Sequence, residues 1–435
     1  MLRIIAILFF ISIFIPVEFY TMAGSVRIEA YRIILGLALI YAFFNLSKVL
    51  EQVDLADILL FGLIFLAFAS FWYNHSLQKA IESTGLYALE TLGAFYLARM
   101  FINTPERFYK FNKVFIIAIT LLLAFTVYEA LAKHRILHEL AENITGNKSL
   151  DYRLYTHYYI RGDIMRATSV FAHPILFGTL SAMFFPFAVI AFLRLRTTLN
   201  GIGLFSLIIS MIMTLSSAPL LALIFQGITT LLVKFWDNAR RLWIALFFGG
   251  LSGAMLLNAA SNRGFFGILI SYLTFNPNTG YFRMLQWEYS MDDILESPIL
   301  GIAHNDWTRP YWKDWMGDSI DSFWLLLTLQ HGVFAALFVL IACFYVVFNT
   351  LNNVNRQPES IKWMVTAWLL AFMSLILIGF TVDYFGKLQP LFFFMLGAIG
   401  WARYTLPETG QNTVMDNIVV PPAGDGDTKQ QEQTQ

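Results

Sequence analysis

The chain has 435 residues, of which 57% are hydrophobic and 13% charged, with 42 phenylalanines and a formal net charge of zero. That composition, with a mean hydropathy of +0.61, excludes an ordinary soluble globular protein, in which charged residues make up about a quarter of the chain. Zero net charge says nothing about partners, because in a membrane protein the division of charge between the two faces matters more.

A membrane-crossing helix needs about 20 mostly apolar residues, since its backbone must satisfy its own hydrogen bonds in lipid. Twelve such stretches occur in order: 4–20, 30–47, 57–73, 82–102, 113–131, 170–193, 201–216, 218–234, 242–259, 322–347, 362–382 and 388–404. The apolar start up to Pro16 is read as a retained first span. Glu82 and Glu90 dilute the fourth stretch, and Pro219 predicts a tight turn or a re-entrant break between the seventh and eighth. Cys343, the only cysteine, falls inside the tenth stretch, where it reads as a packing residue. Residues 1–405 read as one integral membrane domain and 406–435 as a disordered cytoplasmic tail rich in Gly, Gln, Asp and Pro.

Basic residues orient the spans. With a cytoplasmic N-terminus, the inside segments hold fourteen lysines and arginines, among them Arg99, Lys113, Arg194 and Arg241, while the short outside segments hold only Arg27, Arg32, Lys79 and Lys387. Both termini are then cytoplasmic, and the long loops 132–169 and 260–321 are extracytoplasmic. No glycine-rich nucleotide loop is present, so there is no case for an ATP-driven pump.

The chemistry concentrates in those two loops. Arg166 and Arg283 stand at the mouths of apolar spans, and each offers five fixed donors suited to a diphosphate; interfacial anchoring or a simple salt bridge would use the same residues. Asp318 and Asp321 flank the entry to the tenth span, where a carboxylate could orient or deprotonate a sugar hydroxyl or simply cap the helix. His304 lies in a polar stretch suited to substrate contact, and His173 precedes Pro174 at the start of the sixth span, lining a cavity or serving the helix start. His331, before Gly332, reads as a core histidine. Trp287 adds flat apolar surface for a sugar ring, as an interfacial aromatic belt also would. Asp292, Asp293 and Glu296 read as a wet surface, so no metal site is expected.

Four stretches carry a resemblance: Arg166-Ala-Thr-Ser-Val-Phe-Ala-His-Pro-Ile-Leu-Phe-Gly178; Ser216-Ser217; Tyr281-Phe-Arg-Met-Leu-Gln-Trp287 with Ser297-Pro-Ile-Leu-Gly-Ile302; and Asp318-Ser-Ile-Asp-Ser-Phe-Trp-Leu325 with Gly332. In order and membrane side they resemble the O-antigen ligase and repeat-unit polymerase superfamily of bacterial surface-glycan assembly. The resemblance implies an all-α polytopic glycosyltransferase of GT-C-like architecture in the bacterial inner membrane, acting in O-antigen, exopolysaccharide or lipopolysaccharide biosynthesis. It further implies an undecaprenyl-diphosphate-linked oligosaccharide as donor, no metal, cofactor or nucleotide sugar, and no nucleic acid partner. Arg166 and Arg283 correspond to the arginines that hold the lipid diphosphate, with Trp287, Asp318 and His173 as further substrate contacts and Asp321 and His304 as catalytic groups. Family ligases carry His-Asn where this chain has Asp321-Ser322, and often Ser-Arg-Gly where it has Ser217-Ala218-Pro219. That departure favours a polymerase, with a chain-length regulator and a repeat-unit flippase as possible partners. Ligation to lipid A-core and transport of a lipid-linked or anionic solute remain the alternative readings.

Overall fold

The computed structural model describes residues 1–24, 26–148, 159–235, 239–260, 277–310, 317–354 and 357–403. The predicted tail at 406–435, the tyrosine-rich centre of the first long loop at 149–158, and the segments 261–276 and 311–316 of the second lie outside the described residues.

The chain is a mostly helical membrane protein. In order come α1 (Leu2–Ile13), a hairpin of β1 (Tyr20–Ala23) and β2 (Val26–Glu29), α2 (Ala30–Phe44), α3 (Leu46–Leu50), α4 (Leu55–Asn74) and α5 (Leu77–Ala88). A π-helical turn (Leu89–Gly93) leads into α6 (Ala94–Phe101), followed by α7 (Pro105–Ala132), α8 (Ile136–Thr145) and a second hairpin, β3 (Ile160–Arg161) with β4 (Ile164–Met165). The remainder is α9 (Pro174–Leu195), α10 (Thr198–Met213), α11 (Ser217–Phe235), α12 (Ala239–Ala260), α13 (Pro277–Glu296), α14 (Phe323–His331), α15 (Val333–Val354), α16 (Glu359–Ile378) and α17 (Leu388–Gly397). Among the described residues, five helices are long and apolar enough to cross a membrane: Leu55–Asn74, Pro105–Ala132, Pro174–Leu195, Val333–Val354 and the Ile361–Ile378 part of α16.

Local chemistry sets the helix starts. Asp54 and Asp57 form a reciprocal capping box at α4. Thr104 caps α7 ahead of Pro105, a residue pre-shaped for the first helical position. Between helices in lipid there is no hydrophobic driving force, so close packing and polar links must serve. The phenylalanines supply the packing: Phe10 of α1, Phe111 and Phe115 of α7, Phe184 of α9 and Phe394 of α17 meet at centroid distances of 4.5–5.8 Å. Gln226 of α11 supplies a link, donating to the Ala182 carbonyl at 3.0 Å and to Ser374 at 2.5 Å.

Loop contacts sort the helix ends into two faces. On one, Lys387 donates to the Ile15 carbonyl, Asn147 to the Glu18 carbonyl at 2.8 Å, Ala167 N–H to Met213 O at 2.9 Å, and Phe323 N–H to Val382 O at 3.0 Å. On the other, Arg99 pairs with Asp57 at 2.6 Å and Asp54 at 3.1 Å, and the Arg194 guanidinium lies 4.6 Å over the Trp363 ring.

The tenth predicted stretch is broken. Its first turns form α14, which ends at Gly332 with φ +87°, and α15 begins anew. The segment Pro298–Ala303 is wedged into the break: Ile302 N–H donates to Leu329 O at 2.8 Å, Ala303 N–H to Gln330 O at 2.9 Å, and Val333 N–H to Pro298 O at 2.8 Å. A Cβ on Gly332 would stand 2.1 Å from the Ile299 carbonyl oxygen. Gly332→Ala therefore combines a positive φ with a backbone clash and should cost about 2–4 kcal/mol. Melting of the detergent-purified protein checks this; an unchanged midpoint would show that the wedge contributes little.

Candidate functional site

Arg166 follows β4 and is 1% exposed. The turn between α10 and α11 holds it: Nε donates to the Thr214 carbonyl at 3.3 Å and Nη2 to the Ser216 hydroxyl at 2.9 Å. Beside it, buried Glu129 near the end of α7 accepts from Thr168 N–H (3.0 Å), the Thr168 hydroxyl (2.7 Å) and Ser169 N–H (2.8 Å), and pairs with Arg135 at 3.7 Å. His138 joins the network between Glu18 at 2.7 Å and Thr168 at 3.1 Å. A carboxylate accepting this many short bonds fixes the backbone that carries Arg166.

His173 caps α9, its Nδ1 accepting from Ile175 N–H at 3.2 Å. Burial lowers its pKa first, and the fields of Arg166, Arg283, Arg135 and Arg161 lower it further, to about 3. Four guanidinium groups therefore bear on one neutral imidazole, although they come from distant parts of the sequence. With Nδ1 accepting, Nε2 carries the proton.

Arg283 comes from the first half of α13 and is 4% exposed. Its Nε pairs with Asp321 at 3.5 Å without a hydrogen bond; Nε and Nη1 are both buried with no hydrogen-bond partner among the described residues. One turn on, Gln286 donates to the Ser319 carbonyl at 2.7 Å and accepts from Asp321 N–H at 3.1 Å, seating the Asp321 loop against the same helix face. Asp383, in the turn between α16 and α17, completes the group. Burial raises its pKa most, the Tyr384 N–H opposes this, and the Asp321 charge raises it again, to about 7.

The remaining predicted residues lie elsewhere. Because the wedge draws Pro298–Ala303 toward α4, His304 sits edge-on to Phe71 at 4.6 Å, and burial with Lys79 and His75 lowers its pKa. It lines a separate cavity of about 300 Å³ with Arg27, Lys79, Tyr87, Glu90 and His331. There the π-helical turn presents Glu90 to Tyr31 and Arg32, each at 2.8 Å; such turns recur at functional sites. Trp287 packs into a small apolar cluster around Leu285, Ile294 and Trp307. Asp318 is exposed and pairs with Arg309.

Sequence reasoning missed Asp383, Glu129 and Gln286. Gln286 had a readable signal, its three-residue spacing from Arg283 on a helix, and Asp383 is the only acid in the short segment between the last two predicted spans. Glu129 carried no signal apart from standing near the end of an apolar span. Among the described residues no group of three His, Cys, Asp or Glu side chains could hold a metal ion. No family model and no curated protein matches the chain.

Proposed function

We propose that the chain is a metal-independent glycosyltransferase of the inner membrane that polymerises undecaprenyl-diphosphate-linked repeat units, with twelve spans, a GT-C-like arrangement and both termini in the cytoplasm. The observation that carries this reading is Arg283, a buried guanidinium with two donors that have no hydrogen-bond partner among the described residues, sharing the His173 environment with Arg166. A buried cation with unmet hydrogen bonds is costly. A diphosphate would meet them in the bidentate geometry arginine favours. In this reading the lipid-linked anion enters sideways from the bilayer to reach the site.

In the proposed reaction Arg166 and Arg283 hold the donor diphosphate, and His173 Nε2–H can donate to one of its oxygens. Asp321 orients Arg283. Asp383 takes the proton from the acceptor hydroxyl as that oxygen bonds to the anomeric carbon and the carbon–phosphate oxygen bond breaks. The lipid diphosphate departs on the arginines, which stabilise its charge, and the anomeric centre inverts. The roles of His304, Trp287 and Asp318 are then peripheral, His304 facing the second cavity.

Purified protein in nanodiscs, given only lipid-linked repeat, should build longer lipid-linked glycans and release undecaprenyl diphosphate. Movement of the substrate across the bilayer without bond formation would instead establish a flippase. Transfer solely to added lipid A-core would establish a ligase.

A further inference from the structure

On the face opposite the arginine cluster, a cleft of about 290 Å³ opens between four helix ends: the first half of α7, the end of α9, and the starts of α10 and α16. Its polarity is graded. Lys113 and Arg194 stand at the end nearest the loops, with Asn112 and Trp363, whereas the deeper wall is apolar and opens toward lipid through Ile117 and Leu121, the latter 72% exposed. From Lys113 to Leu121 the helix rises about 12 Å. Lys113 makes no ion pair among the described residues.

Two further atoms point to an occupant. Asn112 is 3% exposed; its amide nitrogen donates to the Phe108 carbonyl at 2.7 Å, but Oδ1 has no hydrogen-bond partner among the described residues. Trp363 Nε1–H is buried and equally unmet, beneath the Arg194 guanidinium. The polar end of the cleft therefore combines two cations, a spare donor and a spare acceptor. A phosphodiester alone, which has no O–H, would use the first three and leave Asn112 Oδ1 without a donor; a headgroup hydroxyl supplies one.

We propose that this cleft binds one phospholipid of the cytoplasmic leaflet with an anionic, hydroxylated headgroup, of the phosphatidylglycerol type. The phosphate lies between Lys113 and Arg194, the headgroup hydroxyl donates to Asn112 Oδ1, and the start of one acyl chain runs along Ile117 toward Leu121. Basic recesses between helices on the cytoplasmic side suit such lipids, because the apolar wall anchors the chain and the cations select the charge. The proposal is independent of the glycan chemistry at the opposite face and stands or falls without it.

Native mass spectrometry of the full chain, delipidated and then titrated with phosphatidylglycerol or with phosphatidylcholine of the same acyl chains, tests it. Wild type should retain phosphatidylglycerol at least tenfold more strongly. Lys113→Gln with Arg194→Gln should bring the two lipids to within about threefold, and Asn112→Leu should lower the preference for phosphatidylglycerol over phosphatidic acid, which lacks the headgroup hydroxyl. Should the variants fail to fold, a photo-activatable phosphatidylglycerol on the wild type should label the α7 segment 112–121 and the start of α16. Equal retention of both lipids by wild type, unchanged preference in the folded double variant, or labelling spread evenly around the bundle would each overturn the site.

Discussion

Arg283→Ala is expected to lower polymerisation of lipid-linked repeat by about a hundredfold to a thousandfold while leaving the protein folded. The activity loss follows from removing a charge-assisted, two-pronged grip on a leaving diphosphate in a dry setting, worth about 3–4 kcal/mol. The fold should survive because other contacts hold α13: Gln286 clamps the Ser319–Asp321 backbone from the same face, and Leu285 and Ile294 pack with Trp307 and Leu325. The alanine removes a buried cation two of whose donors have no hydrogen-bond partner among the described residues, and Asp321, its ion-pair partner, is a third exposed to water, so the stability of the unliganded protein should hardly fall. Arg283→Lys keeps the charge and loses the fork, and should recover only part of the rate. Assay of polymer length and released undecaprenyl diphosphate, beside a melting curve for each variant, separates the outcomes. Wild-type rates in the folded alanine variant would remove Arg283 from the reaction.

What could be read from the sequence follows the range of the interaction involved. Hydropathy located the long apolar helices, α4, α7, α9, α15 and most of α16 among the described residues, because lipid acts on each span separately. Arg166 and Arg283 stood out because a guanidinium at the mouth of an apolar span is costly wherever its partner lies. The break at Gly332 was hidden, since its cause is a strand of backbone some thirty residues earlier in the chain that binds the Leu329 and Gln330 carbonyls. That wedge also explains why His304, only 17 residues before Asp321, faces Phe71 and Lys79 instead of Arg283. Glu129 was least legible: a carboxylate near a helix end looks the same in sequence whether it meets water or clamps Thr168 and Ser169. Asp383 was hidden because what raises its carboxyl is burial first and then the charge of Asp321, a neighbour 62 positions away in sequence.

Asp383→Asn supplies the second large effect, and pH gives it a sign that other roles would not. Burial and Asp321 raise the Asp383 carboxyl from its ordinary 3.8 to about 7, which places it where a base is both ionised and strong enough to take a proton. Wild-type polymerisation should therefore rise through a midpoint near pH 7, and Asp383→Asn should leave about 1% or less at every pH. The other groups that bear on Asp383 are Tyr87 and Tyr384, and phenols, titrating ordinarily near ~10, do not account for a step at this pH. Asp321→Asn removes the charge that raises Asp383 and should move the rate midpoint to lower pH. Stability should run the opposite way from activity. Between the unfolded and folded values the folded state holds more protons than the unfolded, so stability falls as pH rises through about 4 to 7. A shift of this size corresponds to about 4 kcal/mol at most, and because Asp383 as a whole residue is only half-buried, solvent screening reduces it to about 1–2 kcal/mol. Asparagine mimics the protonated acid, so the variant should melt like wild type at pH 4.5 and above it at pH 8. A variant inactive but less stable at pH 8 would assign Asp383 to the scaffold; one more stable and inactive would leave proton transfer as its role.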